Sequence, residues 1–230
     1  MAGSPPPAED APQAGDPPQA GDPSQAEDAP RTDDAARADL YFSADIEADG
    51  PIPGRCSMLS FGLTVAGRFD GDRFERRDPT SQTFYRELRP ISESWEPKAV
   101  AVTGLDRDAL LRDGADPSLA MSEAADWVTS VAGVDRAVLV AYPLGFDWLF
   151  LYWYFVAFAE RGSPFGIDRA LDTKTLYQAK ARVTLDRAGK RSLPGALRSR
   201  FPHTHNALDD AIEQADLFAN IVEWDPQTRS

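Results

Sequence analysis

The 230-residue sequence holds one cysteine, Cys56, and two histidines, His203 and His205. A lone cysteine excludes an intrachain disulfide framework and any cysteine-rich zinc finger. No run of 18 or more apolar residues occurs, so no segment reads as a membrane-spanning helix and no membrane partner is expected. The first 40 residues lack both the basic start and the apolar centre of a secretory signal, and a cytoplasmic location is expected. A basic surplus is missing too. The formal net charge of −13, from 37 acids and 24 bases, argues against coating long nucleic acid through bulk charge. Gly-x-Ser-x-Gly, Walker, Gly-x-Gly-x-x-Gly and Cys-x-x-Cys signatures are absent, which removes the chemistries they support. A hydrophobic fraction of 42% with 10% aromatics leaves an acidic globular chain long enough to bury a core.

That acidity is unevenly spread. Residues 1–39 contain no aromatic, Val, Ile or Leu, and Pro12-Gln13-Ala14-Gly15-Asp16-Pro17 repeats at once as Pro18-Gln19-Ala20-Gly21-Asp22-Pro23. A repeat with nothing apolar cannot offset the entropy of ordering its backbone. Residues 1–39 are therefore expected to form a disordered acidic tail, 40–226 the folded domain, and 227–230 a short C-terminal tail. Up to Leu40 the chain holds nine acids and two bases, so the tail carries −7 and the rest −6.

Order begins at Leu40. Residues 40–47 and 57–65 read as strands separated by a Gly/Pro turn, and 82–91 as a third, giving an antiparallel meander. A helix follows Pro117, with Ala120, Ala124, Trp127, Val128 and Val131 on one face. Residues 136–142 carry the apolar run of a strand buried on both faces. A strongly apolar helix is expected from Phe146 to about Ala159, buried all round, then a short strand near Ala170, a helix over 173–181 and a last helix over 206–224. The fold class is α/β: a mixed sheet, the meander extended by parallel strands, flanked by helices.

Carboxylates stand where they are costly. Asp45 and Glu47 share one face of the first strand, opposite Phe42, Ala44 and Ile46. They are either solvated acids at a frayed strand end or a paired site that needs positive charge. Asp147 is the one charge in the apolar run 146–158, either favouring the helix N-terminus or facing a site. In the last helix Leu208, Ala211, Ile212, Ala215, Phe218, Ala219 and Val222 form the core stripe. Asp209, Glu213, Asp216 and Asn220 fall on the solvent side, while Asp210 aligns with Gln214, Leu217 and Ile221 at the stripe's edge. Asn206 is the expected cap, and His205 precedes it. His203, His205 and Cys56 make a poor zinc set. Residues 180–191 carry Lys180, Arg182, Arg187, Lys190 and Arg191 against Asp186, either a solvated loop or a phosphate-binding patch.

Asp45-Ile46-Glu47, Gly145-Phe146-Asp147 and His205-Asn206-Ala207-Leu208-Asp209-Asp210, in this order, resemble the DEDDh group of 3′–5′ exonucleases, the proofreading-exonuclease, RNase T and oligoribonuclease relatives of the ribonuclease H-like fold. Val102-Thr103-Gly104-Leu105 looks like their turn between the third strand and the next helix. The resemblance covers about residues 40–224. It implies that Asp45, Glu47, Asp147 and Asp210 are the metal-binding acids and His205 the general base. Hard oxygen donors without thiolates suit Mg²⁺ or Mn²⁺. Two such ions about 4 Å apart clamp both oxygens of an in-line displacement. Expected substrate contacts are Ile46, Trp148, Lys180 and Arg182. One departure is Pro143, where relatives often carry Asn, which bears on substrate choice.

The function expected is metal-dependent 3′–5′ hydrolysis of single-stranded RNA or DNA ends, RNA slightly favoured, releasing nucleoside monophosphates; a homodimer is compatible with the resemblance. The alternatives are a catalytically silent binding module on the same fold and a DNA proofreading or repair exonuclease acting with a partner.

Overall fold

A computed structural model describes residues 37–227. Most of the expected tail, up to Ala36, and residues 228–230 lie outside the described residues. The alternation beginning at Leu40 becomes β1 (Asp39–Ala48), which buries Leu40, Phe42, Ala44 and Ile46 on one side and turns Asp45 and Glu47 to the other. β2 (Met58–Phe69) runs antiparallel to β1. The third strand departs from the expectation of 82–91. It is divided into β3 (Phe74–Arg76) and β4 (Thr83–Glu87), which pair with separate parts of β2. Between them Asp78 Oδ1 accepts the Thr80 N–H, and Thr64 Oγ1 donates to the Pro79 carbonyl. This side-chain turn, around a proline with no N–H to give, interrupts the ladder.

The next elements are helical. α1 (Pro97–Thr103) and α2 (Arg107–Asp113) were not separable by periodicity at seven residues each. The turn at Val102–Leu105 falls between these two helices, not between strand and helix: Gly104 ends α1 at φ 68, where glycine is favoured. α3 (Pro117–Ala132), β5 (Arg136–Ala141), α4 (Leu144–Phe158), β6 (Ala170–Asp172), α5 (Thr173–Ala181) and α6 (Ala207–Glu223) follow. β5 lies parallel to β1 and β6 parallel to β5. The sheet order is β3-β2-β1-β5-β6, with β4 also on β2. This is the expected mixed α/β sheet.

Helices cover both faces. Phe42, Ala44 and Ile46 pack with Met121 and Val128 of α3 and Phe150, Leu151 and Tyr154 of α4. Each large side chain buried here contributes roughly 1.5–3 kcal/mol. On the other face Ala66 and Val140 meet Ala215 and Phe218 of α6. α4 corrects the expectation of burial all round, since Phe146, Leu149 and Val156 are exposed. Apolar composition alone did not distinguish its two faces.

α6 also differs from expectation. Ala211, Ala215, Phe218 and Ala219 are buried as expected, but so are Glu213 and Asp216, which the sequence placed in solvent. The cause is residues 185–204, a stretch of short 3₁₀ turns and loop without periodicity. It brings Ala188, Leu193 and Leu197 against Leu217 and Ile221. The two acids under it are neutralised, Glu213 by Lys190 and Asp216 by Arg76 and Arg200.

One glycine sets where α6 begins. Gly62 on β2 is the register partner of Asp45, and a Cβ there would stand 2.5 Å from Ala207 O and Leu208 Cα. The helix start therefore rests on bare strand backbone, which brings Asp210 beside Asp45. Gly62→Ala is expected to cost about 1–3 kcal/mol by overpacking and to lower hydrolysis further than its loss of stability accounts for. Thermal denaturation beside a turnover assay checks this; wild-type activity would mean that the helix start is not set there.

Candidate active site

Strand alternation puts Asp45 and Glu47 on the α6 face, and Asp210 lies in the first turn of α6. Asp45, Glu47 and Asp210 each offer a carboxylate oxygen, all within 4.8 Å of one another. Asp147, in the first turn of α4, is buried and accepts the Ile46 N–H at 3.1 Å through Oδ1. The four acids singled out in the sequence thus come from three elements to one place.

Each is oriented. Gln214 Nε2 donates to Asp45 Oδ1 at 2.6 Å, while Gln214 Oε1 accepts the Tyr142 N–H at 2.5 Å. Asp210 accepts the backbone N–H groups of Thr204 at 2.7 Å and His205 at 3.0 Å. Asp45, Glu47 and Asp147 have no ion-pair partner among the described residues. Burial, reinforced by Asp147, Asp210 and Glu47, pushes the Asp45 carboxyl well above the usual range. Burial, then Asp210, pushes Glu47 up to about 7. Burial pushes Asp147 up to about 7, against the opposing hydrogen bond from Ile46. Like charges gathered out of water need a cation. Carboxylates without thiolates fit a hard divalent ion such as Mg²⁺ or Mn²⁺. Cys56 is buried and joins no ligand cluster.

His205 is exposed and holds φ 60, an uncommon conformation for a side-chain-bearing residue. An imidazole nitrogen of His205 and one of His203 lie within 4.8 Å of an Asp210 oxygen and of each other. His203 Nδ1 stands 3.0 Å from Asp210 Oδ2, a contact the sequence did not suggest.

The expected substrate contacts fare differently. Ile46 is in the core, so its side chain is not available to a substrate, and its N–H holds Asp147. Trp148 stacks on Tyr152 at 4.8 Å in an apolar groove with Leu149, Trp153 and Val156, a groove that none of the four acids lines. Lys180 has other work: its Nζ donates to the carbonyls of Ile221 and Val222 at the end of α6. Arg182 is exposed and closes α5 at φ 53. Lys190 is the cation whose field lowers both Asp45 and Asp147. Gln214 had a visible signal, sitting one turn after Asp210 on the same face. Tyr85 had none. It lies in the row Asp45–Gly62–Tyr85 across three strands and donates to Glu87 at 3.0 Å. Burial and that bond push its phenol up to about 12, so it remains a neutral donor.

No protein-family model matches the chain. It is 37% identical over 183 residues to the 3′–5′ DNA exonuclease Cap18 of Escherichia coli, covering 79% of this chain and 91% of that protein. The nuclease domain of 3′hExo, a DEDDh family member solved with rAMP, is similar with a TM-score of 0.58 at 15% identity, over 82% of this chain and 92% of that one. Cell-death related nuclease 4 gives 0.54 at 13% identity, over 80% of this chain. Exonuclease I of E. coli, solved with a dT13 oligonucleotide, gives 0.53 at 14% identity, over 81% of this chain. The chain spans 63% and 41% of the last two, so at these identities they speak to the fold.

Proposed function

This chain belongs to the DEDDh family of 3′–5′ exonucleases, on the ribonuclease H-like fold, and from that premise we propose that it removes nucleoside monophosphates from the 3′ ends of single-stranded nucleic acid, with DNA as the preferred sugar. The observation that carries this reading is the meeting of Asp45, Glu47, Asp147 and Asp210, three of them with no cation in contact. The name of the 37% identical relative, a DNA exonuclease, supports DNA over the RNA that the sequence alone slightly favoured.

The roles follow from placement. The four acids would hold two Mg²⁺ or Mn²⁺ ions. When bound, such ions stabilise the charge that develops on the reacting phosphate oxygens. Gln214 and the Ile46 N–H fix the orientation of Asp45 and Asp147, so little reorganisation is needed during reaction. His205, open to solvent beside Asp210, takes the proton of the attacking water. A silent binding module would not need four converging acids and a histidine, and their retention counts against it.

The test uses 5′-labelled single strands of DNA and RNA with Mg²⁺, Mn²⁺ or EDTA. The expected result is a ladder that shortens from the 3′ end, faster for DNA, and stops in EDTA. Faster RNA shortening would reverse the sugar assignment. No hydrolysis of either strand in both metals would favour the binding module.

A further inference from the structure

Beside the acid cluster lies a cleft of about 430 Å³, lined by Lys190, Arg191, Arg198, Ser199, His203 and Glu213 among others. It adjoins the site directly. His203 contacts Asp210, and Glu213 follows Asp210 by one turn of α6. Three permanent cations face one carboxylate there, so the cleft is positive beside a strongly negative centre. Lys190 is committed to Glu213 at 2.5 Å. Arg191 is exposed, and its guanidinium has no carboxylate partner among the described residues. Arg198 is held from within: its Nε donates to the Leu193 carbonyl at 3.1 Å and Nη2 to the Arg191 carbonyl at 3.2 Å. Both bonds leave its charge uncompensated and its Nη1 free. A guanidinium fixed by neutral carbonyls is an oriented anion receptor.

We propose that this cleft binds the backbone phosphate of the single strand on the 5′ side of the scissile bond, with Arg191 and Arg198 as the anion-binding groups. This rests on the exonuclease reading and adds which part of the substrate is gripped. At a 3′ end no further phosphate lies beyond the terminal nucleotide, so a second anion near the scissile phosphate belongs to the 5′ strand. Ser199 and His203 supply neutral donors in the same cleft. Lys190 anchors the turn that carries Arg191, through its bond to the α6 face. The protein as a whole is acidic, so this local patch explains how it takes up a polyanion.

The experiment compares wild type with Arg191→Glu and Arg198→Ala on two substrates: a single-stranded oligonucleotide, and the 5′-p-nitrophenyl ester of thymidine monophosphate, which has no 5′ strand. Each variant is expected to raise KM for the oligonucleotide roughly tenfold, with kcat and ester hydrolysis near wild type. The double variant should reduce the salt dependence of binding by about 1.4 in the slope of log K against log salt, from two lost contacts at about 0.7 each. Unchanged oligonucleotide KM in both variants, with the ester still hydrolysed, would overturn the cleft assignment. Loss of ester hydrolysis in the variants would place the arginines in the acid site instead, also against the proposal. Absence of hydrolysis by wild type on both substrates would defeat the exonuclease reading itself.

Discussion

Replacing Asp45 by Asn is expected to abolish hydrolysis while making the ion-free protein harder to unfold. Asp45 lies among three other acids, and its carboxyl is pushed well up by burial and by their charges. An amide has the same shape, carries no charge, and can still accept the Gln214 Nε2 hydrogen bond through its oxygen. Removing one buried like charge therefore relieves repulsion without breaking the bond that orients the side chain. Relief of about 1 kcal/mol would raise Tm by about 2–4 °C in a chain of this size. The same change removes an anionic oxygen from the ion-binding set, and activity should fall on the order of 10³-fold, equivalent to about 4 kcal/mol of lost transition-state stabilisation. Thermal denaturation in EDTA and a turnover assay give the two readings. A lower Tm together with retained activity would mean that Asp45 is a structural acid.

The second large effect is on pH and divalent ions. Glu47 and Asp147 are both pushed up to about 7. In the folded state they keep protons that the unfolded chain has released above its ordinary carboxylate values near 4. The native state binds more protons in that window, so stability falls as pH rises. The contribution is fully present below about pH 4 and is lost through pH 7. In EDTA, Tm should drop between pH 5 and pH 8. The acids whose carboxyls are held low, Asp70, Asp78 and Asp135, change stability only below this window. Mn²⁺ or Mg²⁺ binds the deprotonated acids, so the rise in Tm on adding either ion should be larger at pH 8 than at pH 5.5. A scan of Tm against pH, with and without the ions, checks the sign. An equal or smaller ion effect at pH 8 would contradict the acid cluster as the binding site.

The elements that place the acids were legible because each follows a strong local rule. Period-two alternation exposed Asp45 and Glu47 on one face of β1, and helical spacing put Asp210 with Gln214 at the edge of a buried stripe. The apolar run around Asp147 identified α4, although not its exposed face. What failed depended on segments without periodicity. Residues 185–204 have no repeating pattern, and they bury Glu213 and Asp216 and bring Lys190 towards the acids. Lys180 and Lys190 look alike in one basic stretch, but the first is drawn to the C-terminal carbonyls of α6. That choice is tertiary and leaves no mark at the level of spacing. The split of the third strand likewise turned on Thr64 reaching the Pro79 carbonyl across the sheet.

Hydrolysis of an unlabelled single strand in H₂¹⁸O, followed by mass spectrometry of the released mononucleotides, tests the central claim most directly. The acid cluster acting on the 3′-terminal phosphodiester predicts nucleoside 5′-monophosphates carrying one ¹⁸O, lost in order from the 3′ end by wild type with Mg²⁺ or Mn²⁺ and not by Asp45→Asn. Release of 3′-monophosphates, loss in order from the 5′ end, or equal release by Asp45→Asn would contradict it.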